Sequence, residues 1–241
     1  MCGISGIISK QNENMFSNII NSLQQLENRG YDSTGISFIE DKSFSVIKKA
    51  TTNAIEYIKS KNIHSSNFIG HTRWATHGPK TDENAHPHIS YNQSFSLVHN
   101  GIIENYEFLK QTLGHKKFIS QTDSEVIVNL IESEYEKDVS INEAITNAIK
   151  QLEGTYGLAI QCIHEPGSIY IVRNGSPLII GENDNYVMVT SEISGFNNQI
   201  NDYITISNND LIKIHKFGIS TNYNKYIPKT IIIDNCNNNL G

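Results

Sequence analysis

No stretch of this sequence approaches the roughly eighteen consecutive apolar residues that a membrane-spanning helix needs, which excludes a helical span. Basic blocks are also missing. Lysines gather no further than pairs such as Lys48-Lys49 and Lys116-Lys117, and 19 Lys plus Arg stand against 25 Asp plus Glu, for a formal charge of −6. That balance excludes the electrostatic footprint of a nucleic-acid binder. Cysteine is scarce: Cys2, Cys162 and Cys236 are far apart and odd in number, which argues against a disulfide framework and for a reducing compartment. The opening MCGISGIISKQNEN turns polar by residue 10, so it lacks the basic and apolar regions of a secretory signal. Charged residues make up only 18%, yet the chain is not of a disordered type, because its polarity is largely Asn and Ser beside 38% hydrophobic residues. The expectation is a soluble cytoplasmic protein. Its 241 residues suffice for a full core in one domain.

What is present alternates between two periods. Phe16, Ile19, Ile20, Leu23 and Leu26 follow helical spacing, as do Val126, Ile127, Leu130, Ile131 and Tyr135. A third stripe, Ile141, Ala144, Ile145, Ala148, Ile149 and Leu152, is preceded by Ser140, with Glu143 placed to complete a capping box. Between these lie short strand-like runs, among them GISGIIS, SFSVIKK, NFIGHTRW, SFSLVHN, TYGLAIQCI, SIYIVR and YVMVT. Joining segments such as HEPG and GEND are too short for parallel crossovers. The pattern predicts mostly antiparallel sheets packed face to face with helices outside. Residues 75–93 form a long irregular segment rich in His and Pro, of the kind that usually carries function. From about Tyr226 the chain becomes a low-complexity tail. One domain over residues 1–225 is expected, with 226–241 as a tail or the start of a linker.

Four places can carry chemistry. Cys2 becomes the first residue if Met1 is removed. It then holds a thiol and an α-amine, whose ordinary pKa of roughly 7.7–8.0 leaves it able to take the thiol proton. A small buried residue in a first strand is the competing reading. Arg73, where a strand runs out into HTRWATHG, carries a rigid fork suited to a carboxylate, with a surface ion pair as its alternative. The adjacent Trp74 is the single tryptophan. Asn100 and Gly101 in VHNGIIENY offer a side-chain amide and a backbone N–H for a developing oxyanion, or form an ordinary Asn-Gly turn. Asp123 in SQTDSEVI is either the N-cap of the following helix or a carboxylate for a substrate ammonium. His77, His86, His88 and His99 raise the case for zinc. No Cys pairs with them at ligand spacing and no helix fixes them, so neither metal nor cofactor is expected. Together the set describes acyl transfer at the side-chain amide of a free amino acid.

The blocks MCGISGII, LENRGYDSTG, GHTRWATHGPKTDENAHPH, VHNGIIENY, SQTDSEVI, LEGTYGLAI and VRNGSPLIIG, in that order from Cys2 to about residue 215, carry a resemblance. The sequence resembles the glutaminase domains of the glutamine–fructose-6-phosphate aminotransferase (glucosamine-6-phosphate synthase) family, class-II glutamine amidotransferases of the N-terminal-nucleophile superfamily. The resemblance implies an α+β fold, a four-layer αββα sandwich of two mostly antiparallel sheets. It implies hydrolysis of L-glutamine to glutamate and ammonia through a cysteinyl thioester, with the ammonia used to make glucosamine 6-phosphate from fructose 6-phosphate.

Carried over by position, the resemblance makes Cys2 the nucleophile and Asn100 with Gly101 the oxyanion hole. Arg73 matches the α-carboxylate ligand and Asp123 the α-ammonium ligand. Thr76 and His77 match positions that contact the bound amino acid, and Trp74 matches a gate toward the ammonia path. Arg29 to Asp32 match a supporting segment beside the nucleophile strand. The family's fructose-6-phosphate-binding isomerase half has no counterpart before Gly241. A homodimer is compatible with the full enzyme, and neither nucleic acid nor membrane is an expected partner. Two alternatives stay open: a stand-alone amidotransferase subunit feeding another acceptor, and a non-catalytic glutamine-binding module.

Overall fold

A computed structural model describes residues 2–74, 79–220 and 228–231. In chain order the first strands are β1 (Gly3–Ser9), β2 (Ser33–Glu40), β3 (Ser43–Lys49), β4 (Asn67–Arg73), β5 (His88–Ile89), β6 (Phe95–Ile103) and β7 (Gly154–Cys162). They are followed by β8 (Ser168–Asn174), β9 (Ile179–Glu182), β10 (Tyr186–Thr190), β11 (Asp202–Thr205), β12 (Ile212–His215), β13 (Gly218–Ser220) and β14 (Lys229–Thr230). The helices are α1 (Phe16–Gln25), α2 (Ala54–Lys59), α3 (Tyr106–Thr112), α4 (Asp123–Tyr135) and α5 (Ile141–Ile149).

Two sheets result, one of eight strands in the order β14-β11-β9-β10-β1-β4-β2-β3 and one of six in the order β13-β12-β8-β7-β6-β5. Every pairing among the described strands is antiparallel. Side chains alternate across each strand and sort into three apolar layers. Between the sheets, Ile4, Ile8 and Ile69 meet Val98, Ala159, Ile169 and Ile171. On the outer face of the larger sheet, Ile7, Ile36 and Phe68 pack with Ile19, Ile20 and Leu23 of α1 and Ile55 and Ile58 of α2. On the outer face of the smaller sheet, Leu97, Tyr156 and Leu158 pack with Leu109, Val126, Ile127 and Ile145 of α3 to α5. This is the αββα sandwich that the resemblance implied. Each fully buried isoleucine or leucine contributes about 1.5–3 kcal/mol by leaving water, so the layering stabilises the fold.

Local chemistry sets the ends of these elements. Ser140 and Glu143 form the expected capping box at the start of α5. In α4 the N-cap is Thr122, whose hydroxyl accepts from the Glu125 N–H, and Asp123 is the first helical residue. The N-cap reading of Asp123 is therefore corrected by one position, which releases its carboxylate for other work. β6 runs straight through Asn100 and Gly101, which pair with Gly157 and Tyr156 of β7, so no turn forms there. The short α2, β5, β13 and β14 escape sequence periodicity because pairing or packing of two to six residues defines them. β14 pairs with β11, and Ile231 N–H donates to the Asn201 carbonyl at 2.7 Å. Residues 228–231, expected within the tail, thus add an edge strand. No helix among the described residues is long and apolar enough to cross a membrane.

One buried ion pair ties the connection between α3 and α4 to α4 itself. Lys116 donates to Glu132 at 2.9 Å, with both side chains only 1% exposed. The Glu132 carboxylate also accepts from the Ser90 hydroxyl and from the Asn92 and Ser94 N–H groups, fixing the turn before β6.

Candidate active site

β1 lies between β10 and β4 in the larger sheet, and Cys2 immediately precedes it. Gly3 must be small at this point, since a Cβ there would sit 2.6 Å from Thr72 Oγ1. The Cys2 sulfur accepts the Trp74 backbone N–H at 3.3 Å and lies 3.6 Å from the Trp74 carbonyl. Close approach of Gly30 shapes the same corner, because a Cβ on it would lie 2.5 Å from the Arg73 carbonyl carbon. The segment Arg29 to Asp32 thus packs against the end of β4. Asp32 N–H donates to the Arg73 carbonyl at 3.0 Å, and its carboxylate receives Lys80 at 2.5 Å.

Cys2 opens onto a cavity of about 150 Å³ lined also by Arg73, Trp74, Gly101, Ile103, Tyr106 and Asp123. Arg73 is buried, which draws its guanidinium below its ordinary pKa, while Cys2, Asp32 and Asp123 oppose that effect. Trp74 is half-exposed and meets Tyr31 edge-on at 5.3 Å between ring centroids. Asp123 Oδ2 accepts the Ile103 N–H at 2.9 Å. Gly101 has φ of +137°, and a Cβ there would come within 2.0 Å of the Thr155 carbonyl, so only glycine fits. Thr76 and His77, also expected at the site, lie outside the described residues.

Asn100 is half-buried beside the cavity and bridges the two sheets. Its Nδ2 donates to the Cys2 carbonyl at 2.9 Å. Its Oδ1 lies 3.0 Å from His71 Nε2, which is also 3.1 Å from the His99 carbonyl. Both neighbours of that nitrogen are acceptors, so His71 carries its proton on Nε2, and this fixes the Asn100 amide with its NH₂ toward Cys2. The second Nδ2 proton remains for a developing anion.

Sequence reasoning missed the buried imidazoles behind the cavity as a structural unit. The rings of His71 and His86 are 4.1 Å apart and those of His86 and His88 4.7 Å apart. Burial pushes His71 down to about 3, with its bond to Asn100 in opposition, and drives His86 and His88 well below the ordinary value. Burial also lowers His99, against the field of Asp123. Each of the four rings has one nitrogen within hydrogen-bond distance of a protein partner, and among the described residues no three His, Cys, Asp or Glu side chains are arranged to hold a metal ion. A signal for His71 was available: it stands two residues before Arg73 and shares its strand face.

The irregular segment after Pro79 is fastened rather than loose. Lys48 donates to the Ala85 and Pro87 carbonyls at 2.6 and 3.1 Å, and Asn84 Oδ1 accepts the Gln121 N–H at 2.9 Å.

A cysteine at the head of a central strand, facing an amide from the opposing sheet and flanked by a cation and a carboxylate, defines a class of amide-hydrolysing site. The fold agrees. The chain superimposes on glutamine phosphoribosylpyrophosphate amidotransferase from B. subtilis with a TM-score of 0.76 at 23% identity, covering 95% of this chain and 49% of that one. It also matches a glutamine aminotransferase class-II domain protein from Silicibacter pomeroyi, with a TM-score of 0.62 at 14% identity, covering 96% of this chain and all of that one. Residues 71–198 match the family model of the glutamine amidotransferase domain, and the chain belongs to that family. A probable glutamine–fructose-6-phosphate aminotransferase (isomerizing) of Acanthamoeba polyphaga mimivirus is 42% identical over 245 residues, covering 95% of this chain. A glutamine–fructose-6-phosphate aminotransferase (isomerizing) of Bacillus thuringiensis subsp. konkukian is 38% identical over 222 residues, covering 91%. The chain spans 38% and 37% of the lengths of these two relatives.

Proposed function

We propose that this chain is a glutaminase unit that hydrolyses L-glutamine to glutamate and ammonia, residues 1–225 carrying its site and β14, within 226–241, adding an edge strand. The observation that carries this reading is the convergence of Cys2, Arg73, Gly101 and Asp123 on one cavity, with the Asn100 amide bonded to the Cys2 carbonyl beside it. Removal of Met1 gives Cys2 a free α-amine, which takes the thiol proton as the sulfur attacks the glutamine carboxamide carbon. Negative charge forms on the carboxamide oxygen, toward the Asn100 amide and Gly101 N–H. Collapse of this adduct breaks the C–N bond, and the amine gives its proton to the departing nitrogen, which leaves as ammonia. Water, deprotonated by the same amine, then cleaves the γ-glutamyl thioester and restores the thiol.

Recognition falls to opposite charges. Arg73 takes the α-carboxylate in a forked contact and Asp123 the α-ammonium, while Thr76 and His77 complete the contacts to the amino acid. Trp74, half-exposed at the rim, gates the cavity toward the ammonia acceptor. That acceptor is a fructose-6-phosphate-binding isomerase domain or subunit, and the product glucosamine 6-phosphate. The names and greater lengths of the two similar aminotransferases support this part. Incubation with L-glutamine and an assay for glutamate test the hydrolysis: the wild-type chain forms glutamate and Cys2→Ala forms none. Equal turnover by both contradicts the reading.

A further inference from the structure

The Ser124 hydroxyl is a meeting point that the proposed chemistry leaves unused. Its Oγ lies 2.9 Å from His86 Nε2, 2.9 Å from His99 Nδ1 and 3.2 Å from Asp123 Oδ1. The residue is buried at the start of α4. A serine hydroxyl has one proton and two lone pairs. One arrangement satisfies all three contacts: the proton goes to Asp123, and the lone pairs accept N–H from His86 and from His99. The leftover His86 Nδ1 then needs no proton, and it has no hydrogen-bond partner. An unpartnered acceptor is the cheaper choice, because an N–H stranded in the same place would keep its full desolvation cost. Burial lowers the pKa of both rings, so both are neutral.

The consequence falls on Asp123. Its Oδ2 is held by the Ile103 N–H and its Oδ1 by Ser124, while His99 Nδ1 stands 3.8 Å from Oδ1 and the Arg73 guanidinium acts on it through its field. The carboxylate is therefore oriented by two neutral donors. We infer that Ser124, gripped by two imidazoles, is a positioning residue that aims Asp123 at the substrate α-ammonium and so selects α-amino amides over amides without an amine. This rests on the glutaminase reading above. A competing arrangement exists, because the Thr155 carbonyl also faces His99. A ring protonated toward Thr155 takes the hydroxyl proton at Nδ1 and leaves Asp123 without it.

The test compares glutamine with 4-carbamoylbutanoate, the same amide without the α-amine. The readouts are the KM of glutamine and the inhibition constant of the analogue against glutamine turnover. For Ser124→Ala the inference predicts a KM raised about tenfold, as for one lost hydrogen bond to a charged group, with kcat within about threefold. The analogue's inhibition constant stays unchanged, and Ser124→Thr restores KM. Ser124→Cys, of similar volume with a poor donor, gives the same selective rise if the alanine variant fails to fold. An equal loss toward both ligands, or no change toward either, overturns the inference and leaves the glutaminase reading standing. No glutamine turnover by the wild-type chain overturns both.

Discussion

The Asn100 side-chain amide donates to the Cys2 backbone carbonyl at 2.9 Å, joining the smaller sheet to the larger at the proposed nucleophile. The same amide is turned by His71 Nε2 at 3.0 Å, so the donor is set before substrate arrives. An oxyanion hole built this way acts on the transition state rather than on binding.

Replacing Asn100 with Ala should therefore lower kcat by about 10²–10³-fold, near 3 kcal/mol of barrier, with little change in KM. Steady-state glutaminase kinetics check this. A rise confined to KM contradicts it.

His71 acts through Asn100. His71→Leu should lower kcat in the same direction as Asn100→Ala, and the double variant should lose little more than the worse single one, because both changes disable one donor. Additive losses would show two separate roles.

Arg73→Lys should raise the KM of glutamine about tenfold or more, because a point charge cannot reproduce the planar two-pronged contact. Its kcat should change much less. Kinetics across glutamine concentrations separate the two parameters.

Stability should fall in mild acid. His71 is held from its ordinary 6.5 down to about 3, and His86, His88 and His99 are lowered as well. Below 6.5 the unfolded chain binds protons on these groups that the folded chain does not, so protonation favours unfolding. For His71 the stabilisation is complete above 6.5 and is lost as pH falls toward 3, at a slope near 1.4 kcal/mol per pH unit, and the other three act in the same direction. Urea melts between pH 7.5 and 5 check this, and a flat midpoint contradicts it.

Glu132→Ala should destabilise the fold by about 3–5 kcal/mol, because it leaves Lys116 charged and buried without its closest partner. A thermal melt measures the loss, and a change under 1 kcal/mol contradicts the role assigned to this pair.

Much of the layered fold was legible because long strands alternate cleanly and three helices carry apolar stripes. Ile4 and Ile8 face one layer and Ile7 the other, as period two requires. Of the two readings of Asp123, the N-cap one fails by one residue because Thr122 and Asp123 are both good caps, and only the bond from Glu125 N–H to Thr122 decides between them. The Asn-Gly pair reads locally as a turn, and its continuation as strand depends on β7, about fifty residues away. Cys2, Arg73 and Asp123, expected from chemical type and position, line one cavity, and Asn100 stands beside it. Ser124 was not legible, because its contacts with His86 and His99 come from elements far apart in the chain, and His71 was signalled only by sharing the strand face of Arg73.

Intact-protein mass spectrometry on the active protein, with a glutamate assay on the same sample, tests the central claim most directly. The account predicts that the species turning over glutamine lacks Met1 and begins at Cys2. Full turnover by a chain that retains Met1 would contradict it, because the amine that moves the proton would then be tied up in a peptide bond.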